Sequence, residues 1–149
     1  MSEPPGFRHG DVAVVLAAAL HAYVHARGLG RVVAESGFIL ERRPDTVRGP
    51  DVAFVRRERI PDPPPQGYAE FAPDLAVEIL SPGDRRGEVS EKVADWLRAG
   101  TRLAWVVDPA RRIARVYRAD GSETLVPEDG ALSGEDVLPG LTVPLASVL

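Results

Sequence analysis

The sequence contains no cysteine, which excludes disulfides, thiolate metal sites and a cysteine nucleophile and fits a reducing compartment. Any metal it holds must be bound by oxygen or imidazole. It also lacks a run of the roughly 18 apolar residues needed to cross a bilayer. Its start, MSEPPGFRHG, has neither a basic n-region nor an apolar h-region. A cytoplasmic protein with no membrane association is therefore expected. A global basic footprint is missing as well, because the net charge is −4, unlike that of a protein that coats nucleic acid. Arginine dominates the cations, in adjacent pairs at Arg42-Arg43, Arg56-Arg57, Arg85-Arg86 and Arg111-Arg112, each read as a solvated surface pair.

What is present suits one domain with a real core: 149 residues, 44% of them hydrophobic and 27% charged, with no internal repeat or low-complexity stretch. Residues 9–27 place Val12, Val15, Leu16, Ala19, Leu20, Tyr23 and Val24 at three- and four-residue spacings before the stop signal Gly28, which predicts a helix. His21 and His25 lie four apart on it, a spacing that can hold zinc. Without the glutamate of an HExxH motif or a third ligand they read as an exposed face. His9, just before the helix, reads as a capping or surface residue, with substrate contact as the alternative. Residues 30–41 predict a strand interrupted near Ser36-Gly37 by a bulge. Glu35 within it is either an auxiliary acid of a metal site or half of an edge-strand salt bridge. A polar turn over 42–49 leads into a strand over 50–55. The proline-rich stretch 59–69 cannot continue a sheet and is expected as a surface loop or flap.

The chain is organised around residues 72–100, APDLAVEILSPGDRRGEVSEKVADWLRAG. Leu75, Val77 and Ile79 alternate with Asp74, Ala76, Glu78 and Leu80, so Glu78 shares a strand face with small and apolar neighbours. A carboxylate is costly to bury unless it is paired or holds a metal. Asp51 opens the other β-branched run, RGPDVAFV, also after a proline. Ser81-Pro82-Gly83-Asp84 predicts a turn with Asp84 as N-cap of the next helix. That helix presents Val89, Val93, Trp96 and Leu97 to the core and stops at Gly100. Lys92 flanks the stripe, which directs its ammonium toward a neighbouring cleft. Strands over 102–107 and 113–117 follow, then a hairpin signal at Asp120-Gly121. The tail, rich in glycine and proline, is expected to cover one edge or end of the sheet.

Hard cations take oxygen ligands, commonly one or two carboxylates with waters and substrate phosphate oxygens. If their strands are neighbours, Asp51 and Glu78 supply such a pair for Mg2+ or Mn2+, and Lys92 beside it stabilises charge or orients attack on a phosphodiester. The same residues also admit a structural reading, in which Asp51 caps a turn, Glu78 pairs with an arginine and Lys92 snorkels on the surface.

The segments RGPDVAFV and APDLAVEILSPGDRRGEVSEKVADWLRAGTRLAWVVDPARRIARVYR, with FRHGDVAVVL before them and GEDVLPGLTVPL after, resemble the Uma family of putative restriction endonucleases. That family is a branch of the PD-(D/E)xK nuclease superfamily. The resemblance covers nearly the whole chain. It implies an α/β (α+β) fold with a restriction-endonuclease-like αβββαβ core, a mixed central sheet flanked by helices. It matches Asp51 to the first metal-binding acid and Glu78 to the acid of the second motif. Leu80 stands where the usual lysine would follow that acid, and the resemblance implies that the helical Lys92 substitutes. Family members usually carry an N-terminal segment with a motif like YELIDGEL before the part similar to PPGFRHG. The single domain expected over 1–149 is therefore one without that segment, which contributes early strands and a further acid.

Three functions follow as expectations: an Mg2+- or Mn2+-dependent endonuclease acting on DNA, a catalytically degenerate nucleic-acid- or protein-binding module of the same fold, and the purely structural reading. A homodimer is expected with the endonuclease, since one metal site per chain cuts both strands of a duplex most simply as a two-fold pair. The apolar tail is the candidate contact.

Overall fold

The computed structural model describes residues 4–149, so the first three residues of MSEPPGFRHG lie outside it. The first element is helix α1 (Phe7–Arg27), which buries Val12, Leu16, Leu20 and Val24 as one row four residues apart. Val15, expected on that row, is exposed. The helix ends where Gly28 enters the left-handed region at φ 61°, and the Leu29 N–H returns to the Val24 carbonyl at 3.1 Å.

Strands β1 (Gly30–Ala34), β2 (Phe38–Glu41), β3 (Thr46–Arg48), β4 (Val52–Arg56) and β5 (Leu75–Ile79) come next, then helix α2 (Arg86–Arg98). They are followed by β6 (Leu103–Asp108), β7 (Ile113–Arg118), β8 (Glu123–Val126), β9 (Ala131–Ser133) and β10 (Thr142–Pro144). One six-stranded sheet has the order β1-β4-β5-β6-β7-β8, and β5 and β6 are its parallel pair. The fold is therefore the expected one, with a mixed central sheet and α1-β1-β4-β5-α2-β6 in αβββαβ order. β5 and β6 are buried along their whole length, Glu78 and Asp108 included, and their other positions are all apolar.

Side-chain alternation divides the core. Val52, Phe54, Leu75, Val77, Leu103 and Trp105 face α1, whereas Ala53, Val55, Ala76, Ala104 and Val106 face α2. Small residues on the α2 face leave room for Trp96, which is fully buried and meets Phe38 edge-on at 6.1 Å between centroids.

Several local expectations are corrected. The break at Ser36-Gly37 is a change of sheet and no bulge, since β1 joins the main sheet and β2 pairs with β3 in a separate hairpin. Part of the polar turn over 42–49 is thus strand β3. Asp84 does not cap α2. Its carboxylate accepts the Ser81 N–H at 2.8 Å and closes the turn back on itself, and Arg85 stands at the N-cap without a side-chain bond. The C-terminal tail does more than cover an edge or end: Leu132, Val137, Leu138, Leu141, Val143, Leu145 and Val148 are buried in the α1-side core. Those apolar side chains are therefore withdrawn from any contact with a second chain.

Because Leu138 is fully buried in that core, Leu138→Ala should lower unfolding free energy by about 2–5 kcal/mol, read as a fall in the urea midpoint. A change below about 0.5 kcal/mol, ordinary for a surface site, would show that the tail is not part of the core.

Candidate active site

Antiparallel β4 and β5 pair Val52 with Val77 and Ala53 with Ala76. Continuing that register by one residue sets Asp51 opposite Glu78, at the open end of the strand pair. By alternation Asp51 and Glu78 fall on the same side of the sheet as Ala53 and Ala76, the side covered by α2. Asp51 sits one residue before the strand, so its side chain is free to turn back along the sheet edge. Its Oδ2 accepts the Ile79 N–H at 2.7 Å, a backbone donor that β4 ends too soon to pair. Its Oδ1 lies 3.2 Å from His9 Nε2. Glu78 is buried, and the indole Nε1–H of Trp96 donates to its Oε1 at 3.4 Å, a long bond.

Both acids are pushed toward protonation. Burial raises the Asp51 carboxyl above its usual range, against the lowering effect of the Ile79 N–H, His9 and Lys92. Burial first, and then the charge of Asp51, raise Glu78 from 4.5 to about 7, while Lys92 and the Trp96 N–H pull it down. Lys92 is half-buried on α2, and its charge acts on both carboxylates. It makes no ion pair among the described residues. It is also the only lysine in the chain, the other seventeen of the 18 Lys+Arg positions being arginine. Much of the arginine charge is taken up by acids, as in the bond of Arg48 to Asp95 at 2.7 Å and of Arg118 to Glu135 at 2.8 Å.

The structure thus brings Asp51, Glu78 and Lys92 into one electrostatic cluster. Glu35 is placed differently. Its backbone N–H donates to the Asp51 carbonyl at 3.3 Å and its φ is 56°, but its exposed side chain is not among the charges that move either acid. Nor does it form the edge-strand salt bridge offered as the alternative, for it has no ion pair among the described residues. His21 and His25 are exposed and stacked on each other at 5.3 Å.

His9 is the residue that sequence reasoning misplaced. It lies inside the first turn of α1, not before it, and its side chain is nine-tenths buried against Asp51. It is neither a cap nor a surface residue. A signal was present: His9 lies three residues before Val12 and seven before Leu16, one turn back along the buried row. It lines two cavities. One of about 590 Å³ opens between α1 and the 81–84 turn, with Leu80, Ser81, Asp84, Asp108 and Arg111 on its walls. The other, of about 250 Å³, is shared with Ala13, Ala17, Glu35 and Asp51. The proline-rich loop closes a separate space of about 150 Å³ over Phe38 and Phe71, and no acid lines it.

The two acids at the strand end offer only oxygen donors, with a single imidazole beside them, which fits a hard divalent cation and not zinc in a thiolate or histidine cage. No cluster of three or more His, Cys, Asp or Glu side chains among the described residues has metal-holding geometry. A two-carboxylate site of the magnesium kind needs none, since waters and substrate oxygens complete it. Burial, and after it the charge of Asp51, make an ionised Glu78 costly, and a bound cation would relieve both.

The family model described as Uma2, "Putative restriction endonuclease", matches residues 1–146. Among solved structures, the chain is similar to one described as a putative nuclease belonging to DUF820 from Anabaena variabilis. The two share 21% identity and a TM-score of 0.88, over 99% of this chain and 84% of that one. At that identity the likeness is one of fold. No curated protein matches the chain.

With its folded-state pKa above the unfolded value, Glu78 opposes folding once ionised. The penalty is absent below about pH 4.5, grows as pH rises, and is complete above about 7. In chelator-treated protein, Glu78→Gln should therefore be more stable than the wild type at pH 8 by about 1–3 kcal/mol, and equal to it near pH 4.5. A stability difference that stays constant across this range would show that Glu78 is not held at a raised pKa.

Proposed function

The chain belongs to the Uma2 family, described as putative restriction endonucleases, and from that premise we propose that it is a metal-dependent DNA endonuclease hydrolysing phosphodiester bonds. The observation that carries the reading is the pair Asp51 and Glu78, two carboxylates at adjoining strand ends, both raised toward protonation, with the chain's only lysine acting on both. Mg2+ or Mn2+ is the proposed cofactor, held by Asp51 and Glu78. When bound, such an ion supplies Lewis acidity toward a phosphodiester and a water of lowered pKa.

The rest of the chemistry belongs to the protein's own groups. The Ile79 N–H and His9 hold Asp51 from two sides, and the Trp96 indole orients Glu78. Lys92, reaching in from α2, stabilises the charge that builds on the phosphoryl oxygens and orients the attacking water. Duplex DNA is the proposed partner. A homodimer follows from the need to cut both strands with one site per chain, and a monomer at micromolar concentration in sedimentation would contradict it.

Nicking of a supercoiled plasmid in Mg2+ or Mn2+ tests the activity. Asp51→Ala and Glu78→Ala should lose Mn2+ binding and cleavage together. Lys92→Ala should keep Mn2+ affinity and lose about 100-fold or more in cleavage rate, the scale of one electrostatic donor at a reacting centre. Cleavage by Lys92→Ala at the wild-type rate would remove Lys92 from the mechanism. A wild type that binds DNA but never nicks it would favour the non-catalytic module instead.

A further inference from the structure

We infer that His9 is a positioning residue that sets the Asp51 carboxylate for cation binding, an assignment that rests on the reading of Asp51 as a metal ligand. Asp51 lies ahead of β4, outside the hydrogen-bonded ladder, so the sheet alone does not fix its rotamer. One oxygen is tied by the Ile79 N–H at 2.7 Å and the other is met by His9 Nε2 at 3.2 Å. These two contacts reach the carboxylate from different elements, one on each oxygen. Unpaired lone pairs remain on both oxygens, since each accepts one bond and a carboxylate has about four acceptor sites.

His9 is there at a cost that its local role in α1 does not explain. Its Nδ1 is buried without a hydrogen-bond partner among the described residues. Nε2 is the ring nitrogen that meets Asp51 and Nδ1 meets nothing, so the polar chemistry of the ring is committed to the carboxylate. Neighbouring residues do little to anchor this turn: Phe7 is 94% exposed, and Gly6 at the N-cap offers no side chain. The inward contacts of the turn are Arg8 to the Pro109 carbonyl at 2.5 Å and His9 to Asp51. α1 thus delivers a hydrogen-bond donor to a carboxylate on the far end of β4, the arrangement by which outer partners tune metal ligands.

The test is Mn2+ affinity by calorimetry on the full chain, comparing His9→Gln, whose amide N–H replaces the Nε2 donor, with His9→Met, which fills similar space without one. Urea midpoints of both variants report folding separately. His9→Met should bind Mn2+ about 10–100-fold more weakly than the wild type, while His9→Gln stays within a few-fold. Equal affinities of His9→Met and His9→Gln would overturn the inference, because lost packing and not a lost donor would then be at issue. Asp51→Ala separates the two levels of the argument. If it abolishes binding while His9→Met binds like the wild type, only the role of His9 fails. If Asp51→Ala binds Mn2+ normally, or the wild type binds none, the ligand assignment fails and the inference with it.

Discussion

Two carboxylates set side by side at the end of a buried strand pair are costly to ionise, first because they are buried and then, for Glu78, because Asp51 is charged, and the folded chain must hold them there against that cost. Asp51 and Glu78 are kept in place by four separate restraints. The β4–β5 register aligns their backbones, the Ile79 N–H takes one oxygen of Asp51, His9 meets the other, and the Trp96 indole reaches Glu78. These restraints come from both faces of the sheet. α1 sends His9 to Asp51, and α2 sends Trp96 to Glu78 and places Lys92 where its charge acts on both acids. The small residues Ala53 and Ala76 let the indole lie close enough to the strands to reach Glu78.

Charge placement sharpens this arrangement. The protein spends arginine on its surface, where Arg48, Arg98, Arg112 and Arg118 are each met by an acid. At the acid pair, where positive charge is short, it places its single lysine, without an ion pair among the described residues. A carboxylate pair neutralised by arginine forks would be complete in itself. A pair facing a half-buried ammonium and an imidazole retains surplus negative charge and open lone pairs, which is the condition for taking up a divalent cation.

Much of the fold was legible in the sequence because its signals are local. The apolar row of α1 and the glycine ending it, the doubly buried runs of β5 and β6, and the Asp120-Gly121 hairpin each follow from spacing and turn chemistry within a few residues. Asp51 and Glu78 stood out in the sequence as acids in apolar strands, and Lys92 as the lysine flanking the apolar stripe of an otherwise charged helix. What escaped was set by tertiary contact. The spacing of His9 from the buried row of α1 marks it as inward-facing, but nothing within its own helix reveals what it meets there, Asp51, 42 positions later. The excursion of β2 and β3 into a separate hairpin depends on which sheet edge is free, and local pattern carries no such information. The tail gave glycine and proline as turn signals. Its buried leucines and valines are spaced irregularly, so no period betrayed that they complete the α1-side core.

In the proposed site Asp51 and Glu78 share one cation. Crystals soaked in Mn2+ and measured at the manganese absorption edge test it most directly. An anomalous peak with a carboxylate oxygen from each residue at roughly 2.0–2.6 Å is the predicted result. A fully occupied peak elsewhere on the protein, with Asp51 and Glu78 unliganded, would contradict it.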